Sequence, residues 1–264
     1  MPENNLFAIK KRIIAAQQTR KITRTMELIA SSRLQRGKAL LANYQDWLKN
    51  MREAAQCLPD SYFEQQHDIR GESRKAYIIF GGSKGLSGAY SPNLLQYAKP
   101  IAQGHIIIAV GSSAQNFFPD AFYAFGDEIP SAIYARDIAL KAKSVCDNDE
   151  ADEVYMIYMQ GSKHITAQLL PLVRREEYNA SVIMEPSDKL LFPALFEEYA
   201  ISVVYEAHLH AFISEQVARV SAMDSATKNA DEIIVNLQAT YNRTRQTGIT
   251  QEIIAVSNAA RGDE

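Results

Sequence analysis

Proline and glycine are spread unevenly along this chain, and their placement limits the folds open to it. Apart from Pro2, every proline (Pro59, Pro92, Pro100, Pro119, Pro130, Pro171, Pro186, Pro193) lies between residues 59 and 193, as do nine of the twelve glycines. Residues 5–58 hold only Gly37, and residues 194–264 only Gly248 and Gly262. These residue types interrupt helices most strongly. The chain therefore reads as three parts: a helical arm over 1–58, a punctuated middle over 59–193 and a second helical arm over 194–264.

Both arms carry a helical seam. The first helix is expected to begin at Asn4 or Asn5, either of which can cap. Its apolar positions run Leu6, Ile9, Ile13, Ala16, are expected to slip in phase through QQTRK, and resume at Ile22, Met26, Ile29 and then Leu41, Tyr44, Leu48, Met51, Ala55, Leu58. Spacings of 3 and 4 in alternation mark a helix packed lengthwise on another. About 54 residues at 1.5 Å each give a rod of roughly 80 Å, longer than a compact body of this size, so part is expected to project; Pro59 is expected to end it. The second seam is Met223, Thr227, Ala230, Ile234, Leu237, Tyr241, continuing past Gly248 through Ile249, Ile253 and Val256. Two seamed helices at opposite ends of one chain pair most simply as an antiparallel coiled coil.

The middle reads as α/β. AYIIF (76–80), HIIIAV (105–110), EVYMIYM (153–159) and ASVIM (180–184) are the strand candidates. Apolar runs without alternation suit strands covered on both faces, as in a parallel sheet. Helical stretches near 91–103 and 131–146 separate them in a βαβ rhythm.

Several function classes are disfavoured. The sequence has no run of 18 apolar residues for a membrane span, and MPENNLFAIKKR lacks the apolar core and cleavage site of a secretory signal and the Arg/Ser-rich character of a transit peptide. Cys57 and Cys146 form no CxxC or metal spacing and suit a reducing compartment. These features together describe a soluble cytoplasmic protein.

The glycines of GGSKGLSGAY follow a strand and precede a helix, where phosphate loops sit, but the spacing fits neither GxxxxGK[ST] nor GxGxxG. The plainer reading is a turn or a close backbone contact. A small-ligand or nucleotide-binding α/β protein with a helical arm stays open as the alternative. His208 and His210, two apart, point to different sides of a helix and are expected to be solvated surface residues. With no GxSxG, Cys–His pair or carboxylate cluster in view, no catalytic residue, metal ligand or cofactor is assigned.

The stretch 10–38 holds nine basic residues against one acid, Glu27, in a chain of net charge −3. It can be a solvated face, a nucleic-acid contact or a basic rod inside an acidic protein sleeve. The nucleic-acid reading lacks a recognition module and interleaved aromatics, and no nucleic-acid partner is assigned.

The stretch IKKRIIAAQQTRKITRTMELIASSRLQR (9–36) resembles the amino-terminal helix of the gamma subunit of F-type rotary ATP synthases, and SEQVARVSAMDSATKNADEIIVNLQATYNRTRQTGITQEI (214–253) resembles that family's carboxy-terminal helix. Between them GGSKGLSGAYSPNL (81–94) is similar to the family's glycine-containing loop, and EPSDKLLFPAL (185–195) to its approach to the last helix. The resemblance implies a central shaft: an antiparallel two-helix coiled coil inside a ring of alpha and beta subunits, and a Rossmann-like α/β foot meeting the epsilon subunit and the c-ring. The shaft transmits torque without a catalytic site, small-molecule substrate or cofactor of its own, peripheral to the cytoplasmic face of a bacterial cell membrane. The resemblance further implies that Arg219 and Gln246 grip the catch loops of the ring, with Arg245, Thr250 and Glu252 as accessories. Met26 is a packing position with interface contact, and Lys84, Gly85 and Gly88 belong to the foot. The chain departs from the family where Ser87 replaces a frequent cysteine, Lys84 a frequent arginine, and the tip NAARGDE a small apolar end. It has no cysteine-pair insertion of the plant plastid type, so no thiol switch is expected.

Overall fold

The computed structural model describes residues 2–56, 73–83, 85–124, 129–171 and 188–262. They fall into two compact units, Met1–Ile29 with Val220–Glu264, and Ala30–Arg219. Two long helices, α1 (Pro2–Gln56) and α5 (Asp188–Gly262), contribute to both. α1 starts at Pro2, ahead of the asparagines expected to cap it; a proline is tolerated in a first turn, where its missing N–H has no partner to lose. The expected stop at Pro59 and the strand candidate at 180–184 lie outside the described residues, as does Cys57. Gly248 does not break α5.

The unit Ala30–Arg219 is built on a five-stranded sheet of order β3-β2-β1-β4-β5. Its elements follow as β1 (Lys75–Phe80), α2 (Tyr90–Ala102), β2 (Ile106–Val110), α3 (Ser112–Phe117), β3 (Phe122–Ala124), α4 (Ala132–Asp147), β4 (Glu153–Gln160) and β5 (Lys163–Leu170). β1 pairs in parallel with β2 and β4, and β2 with β3. The sheet is not wholly parallel as expected: β5 runs antiparallel to β4 across the tight turn at Gly161. Such a short turn can only return the chain antiparallel.

Successive residues of a strand face opposite ways, and β1 fills two cores accordingly. Ala76, Ile78 and Phe80 join α4 and α5 with part of α1; Tyr77 and Ile79 join α2 and α3. Burying a side chain such as Ile78 contributes about 1.5–3 kcal/mol. Coverage on both faces explains the unbroken apolar run. In this unit α1 and α5 pack antiparallel: the Tyr44 ring meets Tyr205 edge-on at 4.7 Å, and Tyr44 Oη and Trp47 Nε1 both donate to Ser202 Oγ at 3.1 Å. At Gly37 the helices approach so closely that a Cβ would lie 3.1 Å from the Phe212 ring.

α5 is buried nearly all round here, and this overturns the surface reading of His208. Its side chain is 6% exposed beside the Phe80 ring, and burial pushes its pKa down to about 4. His210 is half-buried 4.0 Å from Glu206.

In the unit Met1–Ile29 with Val220–Glu264, Thr23 stands opposite Thr227 and Arg20 opposite Asp231, so α1 and α5 run antiparallel there too. The α5 seam follows the expected Met223, Thr227, Ala230, Ile234, Leu237 and Tyr241, all buried or half-buried, and then passes to Thr244 and Gly248; Ile249 and Ile253 are exposed. The α1 seam departs from expectation. It does not slip; it runs on in step through Ile9, Ile13, Ala16, Thr23 and Glu27. Thr23 is 8% exposed, whereas Ile22 is 58% and Met26 39% exposed, with Ile29 also outside. Met26 is therefore not a seam position.

Candidate interaction surfaces

The glycine loop sits at the point where the sheet's winding reverses, with β2 and β3 to one side of β1 and β4 and β5 to the other. Open α/β sheets bind ligands in that crevice. In this chain its own helix fills the place. The Gly81 N–H donates to Val110 at 2.8 Å, and a Cβ on Gly81 would lie 2.7 Å from that of Ala114. A Cβ on Gly82 would meet Ser91 Oγ at 2.5 Å and Glu215 Oε1 at 3.3 Å. These glycines serve close packing of protein on protein, the plainer of the two sequence readings.

Arg219 belongs to the same cluster. It is 8% exposed, donates through Nη2 to Glu215 one turn earlier, and directs Nε to the Gly85 carbonyl at 3.5 Å. Glu215 is buried as well. Two opposite charges removed from water hold each other only if their geometry is good, and removing one strands the other. Burial, reinforced by the Glu215 charge, pushes the Tyr90 hydroxyl far above its ordinary pKa, while that hydroxyl donates to the Ala211 carbonyl at 3.1 Å. The loop's outer side presents Leu86, exposed and in the left-handed region at φ 67°, and Gly88 at φ 58°. A bulky residue there stores about 1–3 kcal/mol of strain. Lys84 lies outside the described residues.

The remaining expected residues lie on the other unit. Arg245, Gln246, Thr250 and Glu252 all face outward on α5, with Thr250 Oγ1 donating to the Gln246 carbonyl at 2.9 Å. Met26 faces outward on α1. The structure thus groups Arg219 and Gly85 in one body and the Arg245–Glu252 set on about two turns of helix in the other. Sequence reasoning passes over two features. Glu215 is visible only as the i, i+4 partner in SEQVAR. The rows of exposed large apolar side chains (Ile22, Leu28 and Ile29 on α1; Ile233, Val235 and Ile253 on α5) are masked by the assumption that apolar residues belong to the seam. Among the described residues no three His, Cys, Asp or Glu side chains form a group that could hold a metal ion.

Comparison with known proteins agrees with this anatomy. A family model described as ATP synthase matches residues 5–261. The ATP synthase gamma chain of Ruminiclostridium cellulolyticum is 32% identical, over 97% of this chain and 98% of its own. That of Caldanaerobacter subterraneus is 31% identical, over 96% and 98%. Among solved structures, a chain from the Euglena gracilis mitochondrial ATP synthase (OSCP/F1/c-ring) shares the fold at a TM-score of 0.64 and 14% identity, over 98% of this chain and 95% of that one. A chain from the Tetrahymena thermophila mitochondrial ATP synthase central stalk and c-ring gives 0.58 at 22% identity, over 78% and 99%. With a family model matching nearly its whole length and a relative 32% identical over 97% of it, the chain belongs to the ATP synthase gamma-chain family.

Proposed function

We propose that this chain is the rotor shaft of an ATP synthase complex, coupling ion flow across a membrane to ATP synthesis or hydrolysis in a catalytic ring of alpha and beta subunits. Catalysis belongs to the beta subunits, and this chain acts by contact. The observation that carries the reading is the exposed apolar surface of the unit Met1–Ile29 with Val220–Glu264. A lone amphipathic pair buries its apolar residues in the seam; here Ile22, Leu28, Ile29, Ile233, Val235 and Ile253 lie outside it. Exposed apolar rows of this kind mark a surface made to be covered, and a surrounding sleeve of protein covers two faces of a helix pair at once.

In this reading residues 1–58 and 194–264 are the coiled-coil arms and 59–193 the α/β foot, which meets the epsilon subunit and the c-ring. Arg245, Gln246, Thr250 and Glu252 contact the ring at one level and Met26 at another. Gly85 and Gly88, with Lys84, shape the foot loop that Arg219 braces; for Arg219 to grip the ring directly it would have to share its guanidinium between Glu215 and the partner. The basic stretch 10–38 supports an acidic sleeve, which would guide entry of the rod. A shaft can shift each beta subunit only by the difference in its contact free energy with that subunit's conformations. Among the described residues no helix is long and apolar enough to cross a membrane, which fits a peripheral place on the cytoplasmic face of a bacterial membrane, held there by other subunits.

The test is reconstitution. The purified chain alone is expected to hydrolyse no ATP, and to raise ATP hydrolysis when mixed with alpha and beta subunits of a relative such as that of Ruminiclostridium cellulolyticum. Failure to join the ring overturns the reading. Calorimetric titration of the lone chain with ATP separates the alternative of a nucleotide-binding protein, which alone expects saturable heat.

A further inference from the structure

A cavity of about 510 Å³ opens between the end of α2 and the turn that leads into β3. Lys99, His105 and Ile107 line it on one side, and Phe117, Phe118 and Asp120 on the other. It lies at the start of β2, the opposite end from Val110, where the glycine loop closes the crevice that such sheets ordinarily use for ligands. Its volume falls in the range of small-molecule sites, roughly 300–1,000 Å³. The walls are largely apolar. The Phe117 and Phe118 rings meet edge-on at 4.9 Å, Phe118 and Ile107 pack on the core beside α2, and Phe117 is 41% exposed.

The cavity carries one full charge of each sign. Lys99 Nζ lies 6.0 Å from the centre of the Phe117 ring, and Asp120 stands two residues beyond Phe118 on the facing wall. Lys99 and Asp120 make no ion pair with each other, and neither pairs with another of the described residues. Arg52, Arg74 and Arg136 of the same unit, by contrast, each meet a carboxylate from another part of it: Glu206, Asp152 and Glu197. A cation resting on an aromatic face keeps its charge available to a further anion while the ring holds it in place. One cavity thus offers a cation, an anion and an aromatic surface together.

We propose that this cavity is a binding site for a small zwitterion of the amino-acid class, its carboxylate pairing with Lys99, its ammonium with Asp120, and its aromatic or branched apolar body lying against Phe117 and Phe118. A ligand of one sign satisfies only one of the two charged groups and brings its own charge towards the like charge of the other, so discrimination comes from both. The apolar body supplies most of the attraction, because it takes aromatic surface out of water. The two ion pairs form at a site open to solvent and contribute selection more than strength. The proposal is independent of the rotor reading: it uses none of the residues assigned to the ring or to the foot loop, and would hold for any protein with this body.

The test uses the isotope-labelled full chain at neutral pH and low salt, titrated with four probes and followed by nuclear magnetic resonance. L-phenylalanine carries both charges and the ring; phenylethylamine lacks the carboxylate, phenylpropanoate lacks the ammonium, and glycine lacks the ring. L-phenylalanine is expected to bind saturably, with shifts centred on His105 and Ala121 of the cavity, and about threefold more tightly than either single-charge probe, while glycine gives no saturable shift. Lys99→Gln is expected to erase the preference over phenylethylamine and keep that over phenylpropanoate; Asp120→Asn is expected to do the reverse. Both side chains are exposed, so thermal unfolding should be unchanged in either variant. Phe117→Ala is expected to weaken all three aromatic probes. The proposal is overturned if no probe binds at millimolar concentration, if a single-charge probe binds as tightly as L-phenylalanine, or if the two charge variants alter the preferences alike.

Discussion

Thr23 Oγ1 and Thr227 Oγ1 lie 2.8 Å apart across the helix pair, at a position where α1 and α5 would ordinarily bury two apolar side chains. Each hydroxyl also lies within reach of a carbonyl of its own helix, Thr23 of Arg20 and Thr227 of Met223; with one proton apiece, one hydroxyl donates across the pair while the other donates to its own helix's carbonyl. A polar pair inside a seam fixes register, because sliding one helix would leave a buried hydroxyl facing an apolar neighbour.

Replacing one of the two should therefore cost more than replacing both. Thr227→Val is expected to destabilise the helix pair by about 1 kcal/mol, while Thr23→Val with Thr227→Val returns close to the parent or above it. Urea unfolding followed by circular dichroism measures this; additive losses in the double variant would show that the hydroxyls do not interact.

One substitution should have opposite signs at two glycines. At Gly248 an added Cβ meets nothing within 4 Å, so Gly248→Ala gains helix propensity, about 1 kcal/mol. At Gly37 the new Cβ presses on the buried Phe212 ring at 3.1 Å and on Ile213 at 3.2 Å, and Gly37→Ala is expected to destabilise by about 1 kcal/mol or more despite the same propensity gain. Paired melting curves decide it; stabilisation at both sites would mean that α1 and α5 separate freely at Gly37.

His208 gives the body a pH dependence. Burial lowers its pKa from 6.5 to about 4, so between those values the unfolded chain binds a proton that the folded chain does not. Stability is expected to fall as pH drops from about 6.5 through 4, by a few kcal/mol in total, and to be fully present above the upper value. His208→Leu should flatten the profile over that window. An unchanged slope would assign the acid sensitivity to other groups.

Arg219→Ala should be severe. It leaves the Glu215 carboxylate buried without its guanidinium, a loss of about 3–5 kcal/mol, whereas Arg219→Met with Glu215→Gln removes both charges and should recover much of it. Gln246→Ala and Arg245→Ala, on an exposed helical face, should stay within about 0.5 kcal/mol of the parent while weakening coupling in an assembled complex. Equal effects on coupling and stability would remove these two from the interface.

Residues explain what the sequence disclosed and what it hid. Met223 to Tyr241 were legible because apolar and small residues alone occupy that seam. The α1 seam was misphased because Thr23 and Glu27 hold seam positions while Ile22, Met26 and Ile29 do not; hydrophobic periodicity reports every face that will be covered, by the same chain or by another. β1, β2 and β4 announced themselves as unbroken apolar runs, since helices cover both their faces. β5, reading KHITAQLL, escaped because an edge strand buries only part of one side, and β3 because three residues carry no period. His208 was misjudged because two-residue spacing excludes a shared face only on a helix that has a solvent side. The proposed interface residues come from resemblance alone, as nothing in spacing or charge distinguishes an exposed Gln246 from its neighbours.

The rotor reading meets its most direct test in a single-molecule experiment. Alpha and beta subunits are fixed to a surface, this chain is assembled into them, and a bead is attached through a cysteine introduced at an exposed position of α4. Upon addition of ATP the bead is predicted to turn in one direction in three equal steps per revolution. ATP hydrolysis by the same complexes with the bead merely jittering about one angle would contradict the account.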